Sequence, residues 1–185
     1  MRLNLGCGNR RLEGYLNVDK YPACNPDAVV DLEALPWPWP DSSVEAVDLH
    51  HVLEHLGQRT EIFLGIMGEL YRVMMPNALA HITVPHPLSD GFLGDPTHVR
   101  PITPASLHLF SQARNRETIA RGWPNTPLGL YLGIDLELVE VCYEVQPHWR
   151  ELASDPSRKQ EMERAIFERF NVVSDIKMTM RKVAH

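Results

Sequence analysis

Residues 2–19 read RLNLGCGNRRLEGYLNVD: an apolar run, a Gly6-Cys7-Gly8 turn, and a second run ending in Asp19. A strand feeding a glycine turn lets a ligand approach the backbone closely, and an acid at the end of the next strand can grip a ribose diol. The pattern therefore describes a nucleoside-binding turn. Which nucleoside is a matter of spacing. A dinucleotide site needs a third glycine three residues after the second and an acid about 20 residues further on. Here Arg11 occupies the third glycine position and Asp19 stands only 11 residues after Gly8. Both departures argue against a pyrophosphate ligand.

Working outward, Leu3 to Leu5 and Tyr15 to Asp19 read as short strands joined by a connection too brief for a crossover helix. Asn25-Pro26-Asp27 punctuates the chain before a third strand, Ala28 to Asp31. The stretch LPWPWPD (35–41) must be an extended loop, because its prolines remove donors and restrict their predecessors. Its Trp37 and Trp39 are expected to pack onto the sheet edge in preference to capping a base. Val44 to Leu49 alternates as a fourth strand. From Arg59 to Met75 apolar residues recur at helical spacing, Met75-Pro76-Asn77 stops the run, and Ala78 to Pro85 makes a fifth strand, so the crossover is parallel.

Residues 86–104 are rich in Pro, Gly, Asp and His, too long for a simple connection, and the segment 86–125 is expected to act as a substrate lid. Ala105 to Arg121 reads as a helix ended by Gly122-Trp123-Pro124, Leu136 to Val145 as a long strand, Asp155 to about Phe170 as a charged helix, and Asn171 to Val183 as a last strand. The expected architecture is a single α/β domain over 1–185, a doubly wound, mostly parallel seven-stranded sheet with an antiparallel C-terminal strand.

The net charge of -6 argues against a broad footprint for duplex nucleic acid, and Arg114, Arg116 and Arg121 read as a solvated helix face. Cys7, Cys24 and Cys142 lack a paired spacing, so neither a disulfide framework nor a zinc ribbon is implied. With no signal-like apolar run near Met1 and none approaching the roughly 18 residues of a membrane span, the expected location is the cytoplasm.

By Pro85 five segments have appeared in order: LNLGCG, NVD, VVDLE, LPWPWPDSSVEAVDLHHVLEHL and GELYRVMMPNALAHITVP. Their order resembles the class I S-adenosylmethionine-dependent methyltransferases, a Rossmann-like family. The resemblance implies that Gly6, Cys7 and Gly8 admit the methionine moiety, that Asp19 holds both ribose hydroxyls, that Asp31 and Leu32 meet the adenine edge, and that His50 lies beside the sulfonium. Either acid alone would read as a strand-end turn former; two at matching strand ends favour the cofactor. Asn77 stands where the family usually has glycine, a mild change because Asn tolerates a left-handed backbone. The family's helix before the first strand is missing from this sequence, which implies a more open pocket or one covered in a homodimer. A weaker likeness points to a bacterial subgroup near sugar and polysaccharide pathways.

Methyl transfer to a hydroxyl or amine needs a base from the loops above the strand ends. His98, Asp95 and His86 are the candidates, His98 foremost, with Arg100 to hold an anionic acceptor. No Asn-Pro-Pro-Tyr type motif follows the fourth strand, which disfavours base-amino methylation and leaves a small-molecule, sugar or lipid-linked acceptor. His51-Val52-Leu53-Glu54-His55 also spells the inverted zinc-peptidase signature H-x-x-E-H. That reading wants a long helix and a third ligand, for which Glu117 is a poor choice, and Gly57 follows too soon; no metal is assigned. A zinc hydrolase and a non-catalytic cofactor-binding module are the competing functions.

Overall fold

The computed structural model describes residues 1–184. Seven strands form one sheet in the order β3-β2-β1-β4-β5-β7-β6. They are β1 (Arg2–Leu5), β2 (Leu16–Asp19), β3 (Ala28–Val29), β4 (Val44–His50), β5 (Met74–Pro85), β6 (Leu136–Val145) and β7 (Val173–Lys182). The pairs from β3 to β5 are parallel, and β7 runs antiparallel to both β5 and β6. This is the architecture expected from the sequence. Among the described residues, no helix is long and apolar enough to cross a membrane.

The helices are α1 (Thr60–Val73), α2 (Asp90–Leu93), α3 (Pro104–His108), α4 (Gln112–Ala120), α5 (Leu128–Leu132), α6 (Arg150–Ser154) and α7 (Lys159–Glu168). Helix α1 buries Phe63, Ile66, Met67, Leu70 and Val73 on one stripe against the sheet residues Leu3, Leu5, Val47, Leu49 and Ile82. Burying each such side chain contributes roughly 1.5–3 kcal/mol, so this face fixes the helix on the sheet. Trp37 and Trp39 pack into the same core, edge to face at 5.7 Å, and Trp37 Nε1 donates to the Leu32 carbonyl.

Several boundaries differ from the sequence reading; β3, for one, ends at Val29 and not at Asp31. Strand β5 begins at Met74, not Ala78, because Met74 already pairs with Val44 and the next residues bulge out around Asn77, whose φ is 64°. The helix expected over Ala105 to Arg121 is two helices. Gly129 N–H takes the Leu109 carbonyl and Leu136 N–H takes the Phe110 carbonyl, while the Ser111 side chain caps α4 by accepting from Arg114 N–H. The charged helix starts at Lys159, after a short 3-10 turn at Pro156–Arg158.

The segment expected as a lid divides in the same way. Ile102, Leu107 and Phe110 are fully buried in the main core, whereas Ser89, Gly91, Asp95 and His98 line open space above the sheet. The strand order reverses between β1 and β4, and the crevice beyond the carboxyl ends of these strands is where ligands of open α/β sheets lie.

Candidate active site

Two cavities meet at that crevice. The first, about 410 Å³, is lined by Gly6 after β1, Asp19 with Lys20 and Tyr21 after β2, Val30, Asp31 and Leu32 after β3, and His51, Val52, His55 and Leu56 after β4, with Thr97 from the loop above. Its volume lies in the range of small-molecule sites. The second, about 340 Å³, is lined by His51, His55, Pro85, Ser89, Gly91, Asp95, His98, Gln146, Ser174 and Asp175. His51 and His55 stand in both linings.

The first cavity is shaped by its turn. Gly6 has φ 64°, and a Cβ there would lie 2.6 Å from Val52 Cγ2, so this position requires glycine both for its backbone and for the approach of the segment after β4. Asp19 is nearly buried; one carboxylate oxygen accepts the Gly8 amide at 2.8 Å and the other the Tyr21 amide at 2.9 Å. Each oxygen has a second lone pair, so Asp19 can still accept from two hydroxyls. Asp31 accepts the Glu33 amide and so makes the strand-end turn while lining the cavity. Leu32, Val30, Val52 and Leu56 supply apolar wall. A buried acid at the β2 end beside apolar wall fits a nucleoside, whose sugar hydroxyls need acceptors and whose base needs apolar surface.

Neither Cys7, Gly8 nor His50 lines this cavity. Cys7 is buried, and burial raises its thiol pKa; Gly8 acts through Asp19; His50 packs edge to face on His51 at 4.5 Å, its pKa lowered by burial and then by the His51 charge.

The second cavity holds a histidine cluster. His51 sits at φ 55°, a left-handed conformation rare for a residue with a Cβ, directly after β4. Its Nδ1 lies 3.3 Å from Glu54 Oε1 and its Nε2 3.4 Å from Asp175 Oδ1, and the Glu54 hydrogen bond outweighs burial to raise its pKa. Glu54 is fully buried, and its Oε2 has no hydrogen-bond partner among the described residues. His55 Nδ1 meets Thr97 Oγ1 at 2.9 Å, Thr97 Oγ1 donates to Asp95 Oδ1 at 2.7 Å, and His98 Nδ1 donates to the Phe92 carbonyl at 2.8 Å. The Thr97 contacts hold the Asp95 carboxyl below its usual pKa.

His98 and Asp95 lie together in this cavity, but His86 does not join them. Its Nδ1 accepts the Leu88 amide, its ring packs against Tyr143, and burial lowers its pKa; it lines neither cavity. Arg100 is likewise committed elsewhere, donating to the Gly57 carbonyl and lying 4.2 Å from the Phe63 ring centroid. Glu117 pairs with Arg114 and Arg121 on α4 and borders a separate hollow beside His108. The H-x-x-E-H run is not a helix: Leu53–His55 is a 3-10 turn and His51 is left-handed, so His51 and His55 are not stacked one α-turn apart. Sequence reasoning overlooked His51, Glu54 and Asp175 as a unit, although the H-x-x-E spacing of the first two was visible.

No protein-family model and no curated protein matches the sequence. Solved structures do. Over 97% of its length the chain is similar to a SAM dependent methyltransferase from Archaeoglobus fulgidus, covering 85% of it at 20% identity and a TM-score of 0.57. It is also similar to the 1,6-didemethyltoxoflavin-N1-methyltransferase of Burkholderia thailandensis with bound S-adenosylhomocysteine, over 98% of this chain and 70% of that one, at 12% identity and a TM-score of 0.53. A third neighbour is the [4+2]-cyclase SpnF, over 99% of this chain and 75% of that one, at 14% identity and a TM-score of 0.53. The chain has the class I S-adenosylmethionine-dependent methyltransferase fold. The cyclase shows that this fold also carries other chemistry, so function must be argued from the site.

Proposed function

We propose that the protein transfers a methyl group from S-adenosylmethionine to a small-molecule, sugar or lipid-linked acceptor. The observation that carries this reading is the junction of the two cavities at His51: one fits a nucleoside, the other is lined by titratable groups, and a side chain common to both stands where a group would cross. When bound, the cofactor supplies a methyl group on a sulfonium, whose C–S bond breaks with its electron pair left on sulfur as the acceptor lone pair forms the new bond to carbon.

Asp19 would accept from the ribose hydroxyls, and Asp31 and Leu32 would border the adenine. Gly6 keeps the turn after β1 close to Val52. Of the remaining expected cofactor residues, Gly8 holds Asp19 in place, Cys7 carries the turn, and His50 supports the His51 ring from the side. In the second cavity the acceptor lies between His51 and His98. Glu54 holds the His51 ring at Nδ1, as a carboxylate orients a catalytic histidine, and Nε2 receives the proton that the acceptor gives up. His98 and Asp95 orient the acceptor from the opposite wall. The chain from Ser89 to His98, the part of the expected lid that lines the cavity, would cover the bound acceptor.

Calorimetry with S-adenosylhomocysteine tests the cofactor half: the wild-type chain binds it, and Asp19→Ala binds it at least about tenfold more weakly. Release of S-adenosylhomocysteine across a panel of hydroxyl and amine acceptors tests the transfer half. A wild-type chain that binds neither S-adenosylmethionine nor its product overturns the proposal.

A further inference from the structure

One carboxylate oxygen of Glu54 and one ring nitrogen each of His55 and His98 lie within 4.8 Å of one another. The hydrogen bonds around them decide which nitrogens are left free to ligate. The Phe92 carbonyl can only accept, so His98 carries its proton on Nδ1 and presents the Nε2 lone pair. The Thr97 hydroxyl spends its proton on Asp95, so its oxygen accepts from His55 Nδ1, and His55 too presents Nε2. Glu54 Oε1 is engaged with His51, which leaves the buried Oε2 without a donor. Asp95 Oδ2 stands 3.9 Å from His98 Nε2. On this assignment the two free ring nitrogens are acceptors, and Glu54 Oε2 is a third acceptor with no hydrogen-bond partner among the described residues. A buried, unpaired carboxylate oxygen is costly unless something positive meets it.

We infer that His55 Nε2, His98 Nε2 and Glu54 Oε2 form a binding site for a divalent first-row transition metal at the floor of the second cavity. Two imidazoles and one carboxylate are the donor set of three-ligand metal sites that keep a position open for water or substrate. The supporting contacts are also those of metal-binding histidines, whose far nitrogen donates to a carbonyl or, through a hydroxyl, to a carboxylate. Metal–ligand bonds of about 2.0–2.2 Å would draw the three atoms to about 3.4 Å apart, a contraction within reach of small side-chain rotations. His55 and His98 line the same cavity as His51, so an ion held by them would bind an acceptor oxygen and lower the pKa of its hydroxyl. The motif first read as a zinc-peptidase signature then contributes only its Glu54 and His55, and the third ligand comes from the loop after α2.

The role in methyl transfer rests on the reading of the second cavity as the acceptor site; the metal site itself does not, and its test is independent of activity. Zn²⁺ titrated calorimetrically into the metal-stripped full-length chain is expected to bind one ion per chain. His55→Ala and His98→Ala should each weaken it at least about tenfold, and His148→Ala, an exposed histidine elsewhere, should leave it unchanged. Co²⁺ should give the intense visible bands of a low-coordinate site, lost in the same two variants. Circular dichroism and cooperative thermal melts show that the variants are folded; should His98→Ala unfold, His98→Gln and His55→Gln take its place. No Zn²⁺ binding by the wild-type chain, or binding untouched by both substitutions, overturns the site. Failure of the wild-type chain to bind S-adenosylhomocysteine while it still binds Zn²⁺ overturns the methyltransferase reading and leaves the metal site standing.

Discussion

Asp19 Oδ2 accepts the Gly8 amide at 2.8 Å, a bond that ties the glycine turn after β1 to the carboxyl end of β2. The same carboxylate holds the Tyr21 amide, so it organises both loops of the first cavity before any ligand arrives. Asp19→Ala removes a charged acceptor from two amides and from the proposed sugar contacts. Hydrogen bonds to a charged group contribute about 1.5–3 kcal/mol each, so S-adenosylhomocysteine affinity should fall at least about tenfold, read by calorimetry. The melting temperature should fall as well. Unchanged affinity removes Asp19 from the site.

His51 should separate chemistry from binding. His51→Ala is expected to lower turnover by about 100-fold or more, the range for loss of a positioned base, while product binding, to which His51 adds only one wall contact, falls far less. The backbone gives a second, independent readout. At φ 55° a residue with a Cβ is strained by about 1–2 kcal/mol, so His51→Gly should be more stable than His51→Ala in urea denaturation. Equal stabilities would show that the left-handed conformation is not retained.

Gly6→Ala places a methyl group 2.6 Å from Val52 Cγ2 on a backbone with φ 64°. A destabilisation of about 2–4 kcal/mol is expected, from overpacking together with the left-handed conformation. Adding Val52→Ala should recover only the packing part, visible as coupling in a double-mutant cycle. Strict additivity would mean that the two positions do not touch.

The stability of the turn between β2 and β3 should depend on acid. Asp27 accepts the Asn17 amide and side chain and pairs with Arg11, with the Asn17 backbone bond foremost in lowering its pKa to about 2. The ordinary value is 3.8, so the folded state binds its proton less readily than the unfolded chain. Its contribution is fully present above pH 3.8 and is lost as pH falls through about 2. Asp27→Asn should therefore be less stable than wild type near neutral pH, with the gap closing toward pH 2 in thermal melts. A gap independent of pH would assign the effect to something other than the charge.

Much of the fold is local in origin. The runs at Leu3–Leu5 and Val44–Leu49, the apolar stripe of α1 and the alternation of β6 and β7 are each set by nearby residues, because burial of one face imposes a period of 2 or 3.6. The elements that escaped were decided at a distance. Residues 105–121 have helical spacing, yet the Leu109 and Phe110 carbonyls are claimed by Gly129 and Leu136, far along the chain, and the helix divides. Residues 74–77 look like a stop, yet Val44 pairs with Met74 and extends β5 to meet it.

The site divides along the same line. By itself the sequence determined the glycine turn after β1, Asp19 at the end of β2 and Asp31 just past β3, since each belongs to a short-range pattern of apolar run and polar turn. It could name His98 and Asp95 as chemistry-bearing residues in a long loop. Only the tertiary structure decided that Thr97 and Phe92 fix the ring nitrogens of His55 and His98, that Glu54 is buried with one oxygen bare, and that His86, Arg100 and Glu117 are engaged elsewhere. The reason is physical: which nitrogen of a histidine is left free depends on the partner of the other, and here those partners, Phe92 in α2 and Thr97 in the loop after it, are distant from the strand that carries His55 to the site.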